Sequence, residues 1–404
     1  MTDTEYNRPH KCDFCNREES DVKKLIVNNE VGICNECVTM CQDLLTEQTD
    51  NNIDVANINP INVKEHLDQR VFGQEWAKIV LSVAISNHYK RINSKENKDL
   101  TKANVLMIGP TGSGKTLLAQ TVAKYLNVPF TIADATSVTE SGYVGDDVES
   151  LISRLLIAAD GDVAKCENGI IFVDEIDKIA RKGEGASVTR DVSGEGVQQA
   201  LLKIVEGTTC RVPPVGGRKH PNADMVDVDT SKILFVAGGA FVGLEDIVRR
   251  RQSGTATGFT AQITSPSETI DLGKVTPDDL VSFGMIPEFV GRFPSVVPLR
   301  ELDKSALITI LTEVDGNLVN QYKTLFSQEN IELEITQDAL EEIADRTLLS
   351  GTGARGLHSN MERSLLPHMF EMVRYRKKNI DKLIVNKELV ENPASLIDKK
   401  FYNF

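Results

Sequence analysis

The chain has 404 residues, more than one hydrophobic core usually organises, so two or three domains are expected. Its 41% hydrophobic and 26% charged residues are typical of globular proteins and exclude a disordered or fibrous one. The net charge of −14 disfavours general nucleic-acid binding, which depends on Lys and Arg. No apolar run approaches the roughly 18–20 residues that span a bilayer, and the polar start differs from a secretory signal. These features predict a cytoplasmic protein with no membrane partner.

The cysteines predict a metal site near the start of the chain, since five of the seven lie in the first 41 residues. Cys12 and Cys15 form one Cys-x-x-Cys pair, and Cys34 and Cys37 form another after 18 residues. This is the spacing of a four-cysteine zinc site, and four thiolates leave no open position for catalysis. A module covering 1–45 buries too little to fold alone, so the metal is expected to decide whether it folds.

Further details of this module follow from its local patterns. Residues 25–31 are expected to form a β-hairpin with an Asn-Asn turn. Val38, Cys41 and Leu45 are spaced to share one helix face, and His10 stays open as a substitute zinc ligand. The module carries five Lys or Arg and nine Asp or Glu residues, which favours contacts with proteins over contacts with DNA.

The remaining chain is predicted to contain a linker and two domains. The polar residues 46–61 are expected to form the linker. From 62 to 300, short apolar runs alternate with helical patterns, which predicts an α/β domain with a parallel sheet. Its predicted strands are Val105–Ile108, Phe130–Ile132, Ile170–Val173 and Ile233–Val236. From 301 to 404, apolar residues recur at helical spacing, which predicts a smaller, mostly helical domain. That spacing is carried by Leu307, Ile310, Leu311, Val314 and Leu318, and again by Ala339, Leu340, Ile343 and Ala344.

A phosphate-binding loop follows the first of these strands. The complete pattern is formed by Gly109, Pro110, Thr111, Gly112, Ser113, Gly114, Lys115 and Thr116. A helical stretch follows, which is the context that this motif requires, and its Leu117 is expected to bind ATP together with the loop. The glycines let backbone N–H groups turn towards phosphates, and the helix N-terminus favours their negative charge. Lys115 is expected to reach the β- and γ-phosphates of ATP, and the Thr116 hydroxyl to help hold Mg²⁺.

Two adjacent carboxylates end the strand Ile170–Val173. Asp174 suits Mg²⁺ binding, either directly or through water. Glu175 is placed to accept a proton from the attacking water. Together with the phosphate loop, these residues predict an ATP-hydrolysing enzyme.

Several further motifs resemble those of the ClpX family of AAA+ unfoldases. These motifs are Val71-Phe72-Gly73-Gln74, Asn87-His88-Tyr89-Lys90-Arg91, Asp174-Glu175-Ile176-Asp177-Lys178, Arg190–Gln199 and Pro287-Glu288-Phe289-Val290-Gly291-Arg292. With the cysteine module in front, the resemblance covers nearly the whole chain. ClpX proteins are hexameric ring motors that pull proteins through a pore and deliver them to the ClpP peptidase. The resemblance implies a homo-hexamer with ATP, Mg²⁺ and Zn²⁺ as cofactors, and with protein substrates and adaptors as partners.

The resemblance also implies roles around the nucleotide. Val71, Phe72 and Gly73 would line the adenine pocket with apolar or absent side chains. Arg292 matches the arginine finger that reaches the ATP of the neighbouring subunit. Arg355 matches the sensor-2 arginine of the small domain. Planar, permanently charged guanidinium groups suit contact with a γ-phosphate.

Substrate contacts are implied in the same way. Tyr143 and Val144, between two glycines, match the pore loop that grips substrate. Arg218, Lys219 and His220 match a positively charged loop at the pore entrance, which attracts acidic or carboxylate-terminated tails. The stretch 183–193 resembles a second, deeper pore loop.

Two places depart from the family pattern. The fourth strand runs into Ala237-Gly238-Gly239-Ala240, so no polar sensor-1 residue is assigned. The apolar-Gly-Phe tripeptide that docks on ClpP is Thr257-Gly258-Phe259 here, and losing an aliphatic side chain forfeits roughly 1.5–3 kcal/mol per contact. Docking on the peptidase is therefore expected to be weakened. Three alternatives stay open: a remodelling chaperone without a peptidase, a DNA-directed AAA+ motor, and a scaffold that binds ATP only to assemble.

Overall fold

The structure is a computed structural model with two compact units, Met1–Val55 and Ala56–Phe404. It describes residues 11–28, 31–41, 58–93, 102–138, 147–181, 194–214, 225–254, 272–378 and 380–393. Within these ranges, no helix is both long enough and apolar enough to cross a membrane. The predicted domain boundaries at 45, 61 and 300 stay predictions.

The first unit contains the predicted hairpin. Strands β1 (Leu25–Asn28) and β2 (Val31–Cys34) pair antiparallel, with Leu25 opposite Cys34. Helix α1 follows from residue 35 to at least 41. The side chains that are buried together here are Cys12, Leu25, Cys34 and Cys37. Within the described residues of this unit, Leu25 is the one buried side chain besides the cysteines. Burial of so little apolar surface cannot account for their fold, which agrees with the prediction that a metal holds the module.

A five-stranded sheet organises the second unit. All its strands run parallel, in the order β4-β5-β8-β3-β9. The strands are β3 (Val105–Ile108), β4 (Phe130–Asp134), β5 (Ile170–Asp174), β8 (Leu234–Gly239) and β9 (Ser295–Pro298). The four predicted strands are confirmed, and three of them extend one to three residues beyond their predicted ends. The edge strand β9 was missed because its half-buried residues end in proline, a weak strand signal.

Helices cover this sheet. They are α2 (Pro60–Arg70), α3 (Glu75–Asn93), α4 (Lys115–Leu126), α5 (Glu149–Ala158), α6 (Val163–Glu167), α7 (Glu195–Glu206), α8 (Leu244–Gly254), α9 (Pro277–Phe283) and α10 (Pro287–Gly291). Polar caps begin several of them, as when the Asn59 side chain accepts a hydrogen bond from the Ile61 N–H. A second small sheet pairs β6 (Thr209–Val212) with β7 (Val226–Asp229). The parallel order places the carboxyl ends of β3, β5 and β8 together, which positions the site described below.

The C-terminal region has its own core, and most of it is helical. It contains α11 (Lys304–Thr312), α12 (Leu318–Gln328), α13 (Gln337–Leu349), α14 (Arg355–Lys377) and α15 (Lys387–Glu391), with β10 (Glu332–Ile335) parallel to β11 (Lys382–Val385). The apolar period from Leu307 to Leu318 spans two helices. The chain turns at Gly316, whose φ is 70°, and the Asn317 side chain caps α12. Periodicity continues across this break because both helices face one core.

Candidate nucleotide and zinc sites

The phosphate loop connects β3 to α4, as predicted. Gly112 and Gly114 have φ values of 77° and 99°, a left-handed backbone that glycine adopts without strain. The Gly109 N–H donates a hydrogen bond to the Gly239 carbonyl at 3.1 Å, which fastens the loop to the end of β8. The helix begins at Lys115, so its unpaired N–H groups face the loop, as phosphate binding requires.

Lys115 is folded into this loop. Its ammonium group donates hydrogen bonds to the carbonyl oxygens of Gly109 at 2.6 Å and Pro110 at 2.9 Å. Burial lowers the pKa of Lys115, while the charges of Asp174 and Asp177 act in the opposite direction. The positive charge is therefore held inside the loop, where the phosphates of ATP are expected.

The predicted magnesium ligands lie side by side. The Thr116 hydroxyl donates to Asp174 Oδ2 at 3.1 Å, and the Glu175 N–H donates to Asp174 Oδ1 at 2.9 Å. A hydroxyl and a carboxylate at this spacing suit Mg²⁺, which prefers oxygen ligands. Glu175 has a φ of 56° and an exposed side chain, so its carboxylate stands outside the Asp174 contacts. The Asp174 carboxylate is therefore engaged by Thr116 and the Glu175 N–H, whereas the Glu175 side chain is exposed.

The C-terminal region reaches this site through the turn before α14. The Arg355 guanidinium lies 3.9 Å from Asp174 Oδ2, and the Ala354 N–H donates to the Gly112 carbonyl at 3.1 Å. Both Gly112 and Gly353 lie so close to the opposite backbone that neither has room for a side chain. The structure therefore brings the predicted sensor-2 arginine to the nucleotide site.

Replacing Gly353 with Ala is expected to weaken ATP binding about tenfold or more. The added Cβ would lie 2.7 Å from the Thr111 carbonyl oxygen and would push the phosphate loop aside. Gly351→Ala is the matched control: its φ of 63° imposes similar backbone strain, but nothing lies within 4 Å of an added Cβ. The dissociation constant of a fluorescent ATP analogue is the measurement. Equal losses in both variants would contradict the contact argument.

The predicted adenine segment lies between α2 and α3. Val71 is buried, Phe72 is partly exposed, and Gly73 has a φ of 65° with open space around its Cα. Gln74 was missed as a site residue, although its Nε2 donates to the Ser113 carbonyl at 3.3 Å. Its position directly after the adenine motif was the signal available in the sequence. This contact ties the segment to the phosphate loop.

The described contacts of the Arg292 side chain lie away from this chain's own phosphate loop. Its Nε and a terminal nitrogen contact Glu206 Oε1 at 2.8 and 2.6 Å. The side chain is 53% exposed at the end of α10. An arginine that serves a neighbouring subunit is expected to be accessible in this way.

The glycines at the end of β8 explain why no sensor-1 residue was assigned. A Cβ on Gly238 would lie 2.7 Å from the Phe172 ring, and one on Gly239 would lie 2.7 Å from Asp177 Oδ1. The Ala240 N–H donates to the same Asp177 oxygen at 3.2 Å. The buried Asp177 carboxylate thus fills the space that a side chain on this strand end would need.

The four predicted zinc ligands converge in the first unit. The Sγ atoms of Cys12 and Cys37 are 3.9 Å apart, those of Cys15 and Cys34 are 3.7 Å apart, and all four lie within 4.8 Å of one another. Thiolates about 2.3 Å from a tetrahedral zinc ion lie about 3.8 Å from each other. None of these cysteines forms a disulfide. The donor set and spacing therefore fit a structural zinc ion.

Backbone groups favour the thiolate form of Cys12, the form that zinc requires. The N–H groups of Cys34 and Cys37 donate to the sulfurs of Cys12 and Cys34 at 3.2 and 3.4 Å. Burial raises the pKa of Cys12, but hydrogen bonds from neighbouring backbone groups, first that of Cys34, lower it to about 6. These backbone donors hold the sulfurs of Cys12 and Cys34 in place, while burial and the neighbouring thiols raise the pKa of Cys37.

Several predicted residues lie outside the described part of the chain. They are the pore-loop residues Tyr143 and Val144, the charged Arg218, Lys219 and His220, the docking residues Thr257, Gly258 and Phe259, the stretch 183–193, and His10 and Leu45 of the cysteine module. Their assignments stay predictions.

Comparisons with known proteins match successive parts of the chain. The profile of the ClpX C4-type zinc finger matches residues 10–47, and that of the AAA domain (Cdc48 subfamily) matches 100–296. The profile of the C-terminal, D2-small domain, of ClpB protein matches 302–385. The ATP-dependent Clp protease ATP-binding subunit ClpX of Treponema denticola is 48% identical over 406 aligned positions, covering 96% of this chain and 97% of that protein. With the parallel sheet and the cysteine cluster, these matches confirm the predicted fold class and ATPase.

Proposed function

The chain belongs to the ClpX family, and from this premise we propose that it is an ATP-driven unfoldase that threads proteins through a hexamer pore for delivery to ClpP. The observation that carries the proposal is that two side chains approach the same oxygen of Asp174. The Thr116 hydroxyl lies 3.1 Å from Asp174 Oδ2, and the Arg355 guanidinium lies 3.9 Å from it. These contacts connect the sheet to the C-terminal helices at one nucleotide site. A nucleotide-dependent change at this point can therefore alter how the two regions are arranged.

Different residues of the chain have different roles in ATP hydrolysis. Bound Mg²⁺-ATP supplies a polarised γ-phosphate for attack by water. Lys115 and the loop N–H groups would hold the phosphates, and Thr116 and Asp174 would hold the metal. Glu175 orients the water and accepts its proton, and Arg355 stabilises negative charge at the phosphate.

A homo-hexamer completes this site in the proposal. Arg292 would act on the ATP of the adjacent subunit, which agrees with its exposed position away from its own phosphate loop. Two exposed apolar faces support contacts between copies. They are formed by Trp76, Ile79 and Val83 on α3 and by Leu366, Phe370 and Val373 on α14. Each set recurs at helical spacing, so each helix presents one apolar face to a partner.

Substrate and adaptor contacts are proposed from the family relationship. Tyr143 and Val144 would grip the threaded chain, and Arg218, Lys219 and His220 would attract its tail. The zinc module would recruit adaptors or substrates, because its negative charge suits proteins better than DNA. A cytoplasmic location is proposed as well, since none of the seven cysteines forms a disulfide, as in a reducing compartment.

The ClpP partnership is proposed with weakened docking. Thr257 stands where the family places an aliphatic residue, and only Gly258 and Phe259 keep the pattern. Six loops acting together tolerate part of this loss through avidity. The same substitution favours a second candidate function, a remodelling chaperone that works without the peptidase.

Unfolding is tested with a folded fluorescent reporter that carries an unstructured C-terminal tail. The chain, Mg²⁺ and ATP are expected to abolish its fluorescence in the presence of a trap that prevents refolding, whereas a tailless reporter stays bright. ATP hydrolysis without fluorescence loss for several tails would count against threading. Stimulation of hydrolysis by DNA would favour the DNA-directed motor instead, and a hexamer without turnover would favour the scaffold. Reporter unfolding without retention of ClpP would favour the chaperone.

A further inference from the structure

Gln74 connects three segments that are far apart in the chain. Its Nε2 donates to the Arg300 carbonyl at 2.8 Å and to the Ser113 carbonyl at 3.3 Å, while its Oε1 accepts from the Arg300 N–H at 2.9 Å. The side-chain amide therefore pairs with both the N–H and the carbonyl group of Arg300, as the backbone of a neighbouring strand would. The same group also reaches the phosphate loop.

The backbone of Gln74 is held in an uncommon conformation. Its φ is 57°, and that of the preceding Gly73 is 65°, so two consecutive residues are left-handed. A residue with a side chain is strained there and stays only when its surroundings favour it. The Lys78 N–H donates to the Gln74 carbonyl at 3.0 Å, which starts α3, and the amide contacts hold the other side. The strained turn is what aims the amide at Ser113 and Arg300.

Arg300 belongs to the segment through which the chain passes from the sheet to the C-terminal helices. We name residues 299–302, between β9 and α11, the hinge segment. The Leu299 N–H donates to the Ile108 carbonyl at 2.7 Å, directly before the phosphate loop. An added Cβ on Gly109 would lie 2.7 Å from the Leu299 carbonyl oxygen. The hinge segment therefore begins in close contact with the first residue of the loop.

We propose that Gln74 is a positioning residue that fastens the hinge segment to the phosphate loop, so that both respond together when ATP binds. The inference rests on the proposed nucleotide site. Without the amide, the hinge segment keeps its contact at Leu299 but loses its support at Arg300. Only a fraction of the molecules then has the hinge segment in the arrangement that binds ATP. The apparent affinity for ATP falls in proportion to that fraction.

Gln74→Met tests this role, because it keeps side-chain length and removes all three hydrogen bonds. Hydrogen exchange in peptides that contain Arg300 is expected to be about tenfold faster, measured by mass spectrometry without nucleotide. The KM for ATP hydrolysis is expected to rise about 5- to 20-fold, with a smaller change in kcat. Gln321→Met is the matched control. It loses a 2.6 Å bond from Gln321 Nε2 to the Gly316 carbonyl, far along the chain from the phosphate loop, and is expected to leave both quantities unchanged.

Gln74→Gly distinguishes the effect of losing the side-chain amide from the effect of backbone strain at this position. Glycine accepts the left-handed conformation without strain but makes none of the side-chain bonds, so it is expected to behave like Gln74→Met. The proposal would be overturned if hydrogen exchange at Arg300 and the KM for ATP in Gln74→Gly equalled those of the unmodified chain. Unchanged values in Gln74→Met would overturn it as well. An unmodified chain that binds no ATP would refute the nucleotide site itself. The exchange at Arg300 needs no nucleotide, so the two failures are distinguishable.

Discussion

Replacing Glu175 with Gln is expected to lower the rate of ATP hydrolysis by about 10²- to 10⁴-fold, the usual contribution of a positioned general base. Glu175 follows β5 directly and has a left-handed backbone with a φ of 56°. Its side chain is exposed, whereas the Asp174 carboxylate is bonded to Thr116. Glutamine has the same shape and length but cannot accept a proton, so the chemical step is lost while the site stays intact.

ATP binding is expected to survive in Glu175→Gln, because the phosphate loop and Asp174 are untouched. Phosphate release measures hydrolysis, and a fluorescent ATP analogue measures affinity. Glu245→Gln, an exposed glutamate in the first turn of α8, is the matched control and is expected to hydrolyse ATP normally. If Glu175→Gln binds ATP and still hydrolyses it within a few-fold of the unmodified rate, another group must activate the water.

Removing zinc is expected to unfold the first unit while the second keeps its ATPase site. Structural zinc contributes roughly 10–16 kcal/mol of apparent binding free energy, far more than one buried leucine supplies. Among the side chains that are buried in the described residues 11–28 and 31–41, Leu25 is the one that is not a cysteine. Chelation is expected to release about one zinc ion per chain and to make 11–41 sensitive to protease. The fold of Ala56–Phe404 has a separate core and does not depend on this metal.

Cysteine variants distinguish the ligands from the other thiols. Cys12→Ser is expected to lose zinc and protease resistance, since one of four thiolates is removed. Cys41→Ser is the matched control, because Cys41 lies in α1 outside the cluster of four sulfurs. It is expected to keep both properties. Equal zinc loss in the two variants, or a metal-free module that resists protease, would contradict the assignment.

Local patterns along the chain were enough to predict much of this protein. The phosphate loop, the strand ending in Asp174 and Glu175, and the two cysteine pairs are contiguous motifs, so neighbouring residues carry the whole signal. The buried parallel strands were predicted for a similar reason. Strands covered on both faces are short apolar runs bounded by polar loops, and this pattern survives whatever the order of strands in the sheet.

Elements whose pairing depends on contacts between distant segments were harder to predict from local patterns. The edge strand β9 and the parallel pair of β10 and β11 were missed, because half-buried strands lack a distinct apolar run. The single apolar period over 307–318 hid a helix break, since two helices that face one core share the same spacing. In each case the pattern reports which residues are buried and leaves the path of the backbone undetermined.

The assembly of the nucleotide site depends on the tertiary structure. Arg355 approaches Asp174, and Gln74 bridges Ser113 and Arg300, across up to 226 residues of chain. No local propensity encodes these approaches, because hydrogen bonds and ion pairs require a geometry that only the packed sheet and helices create. Residue types and short spacings therefore identify the chemistry, whereas packing determines which regions of the chain that chemistry connects.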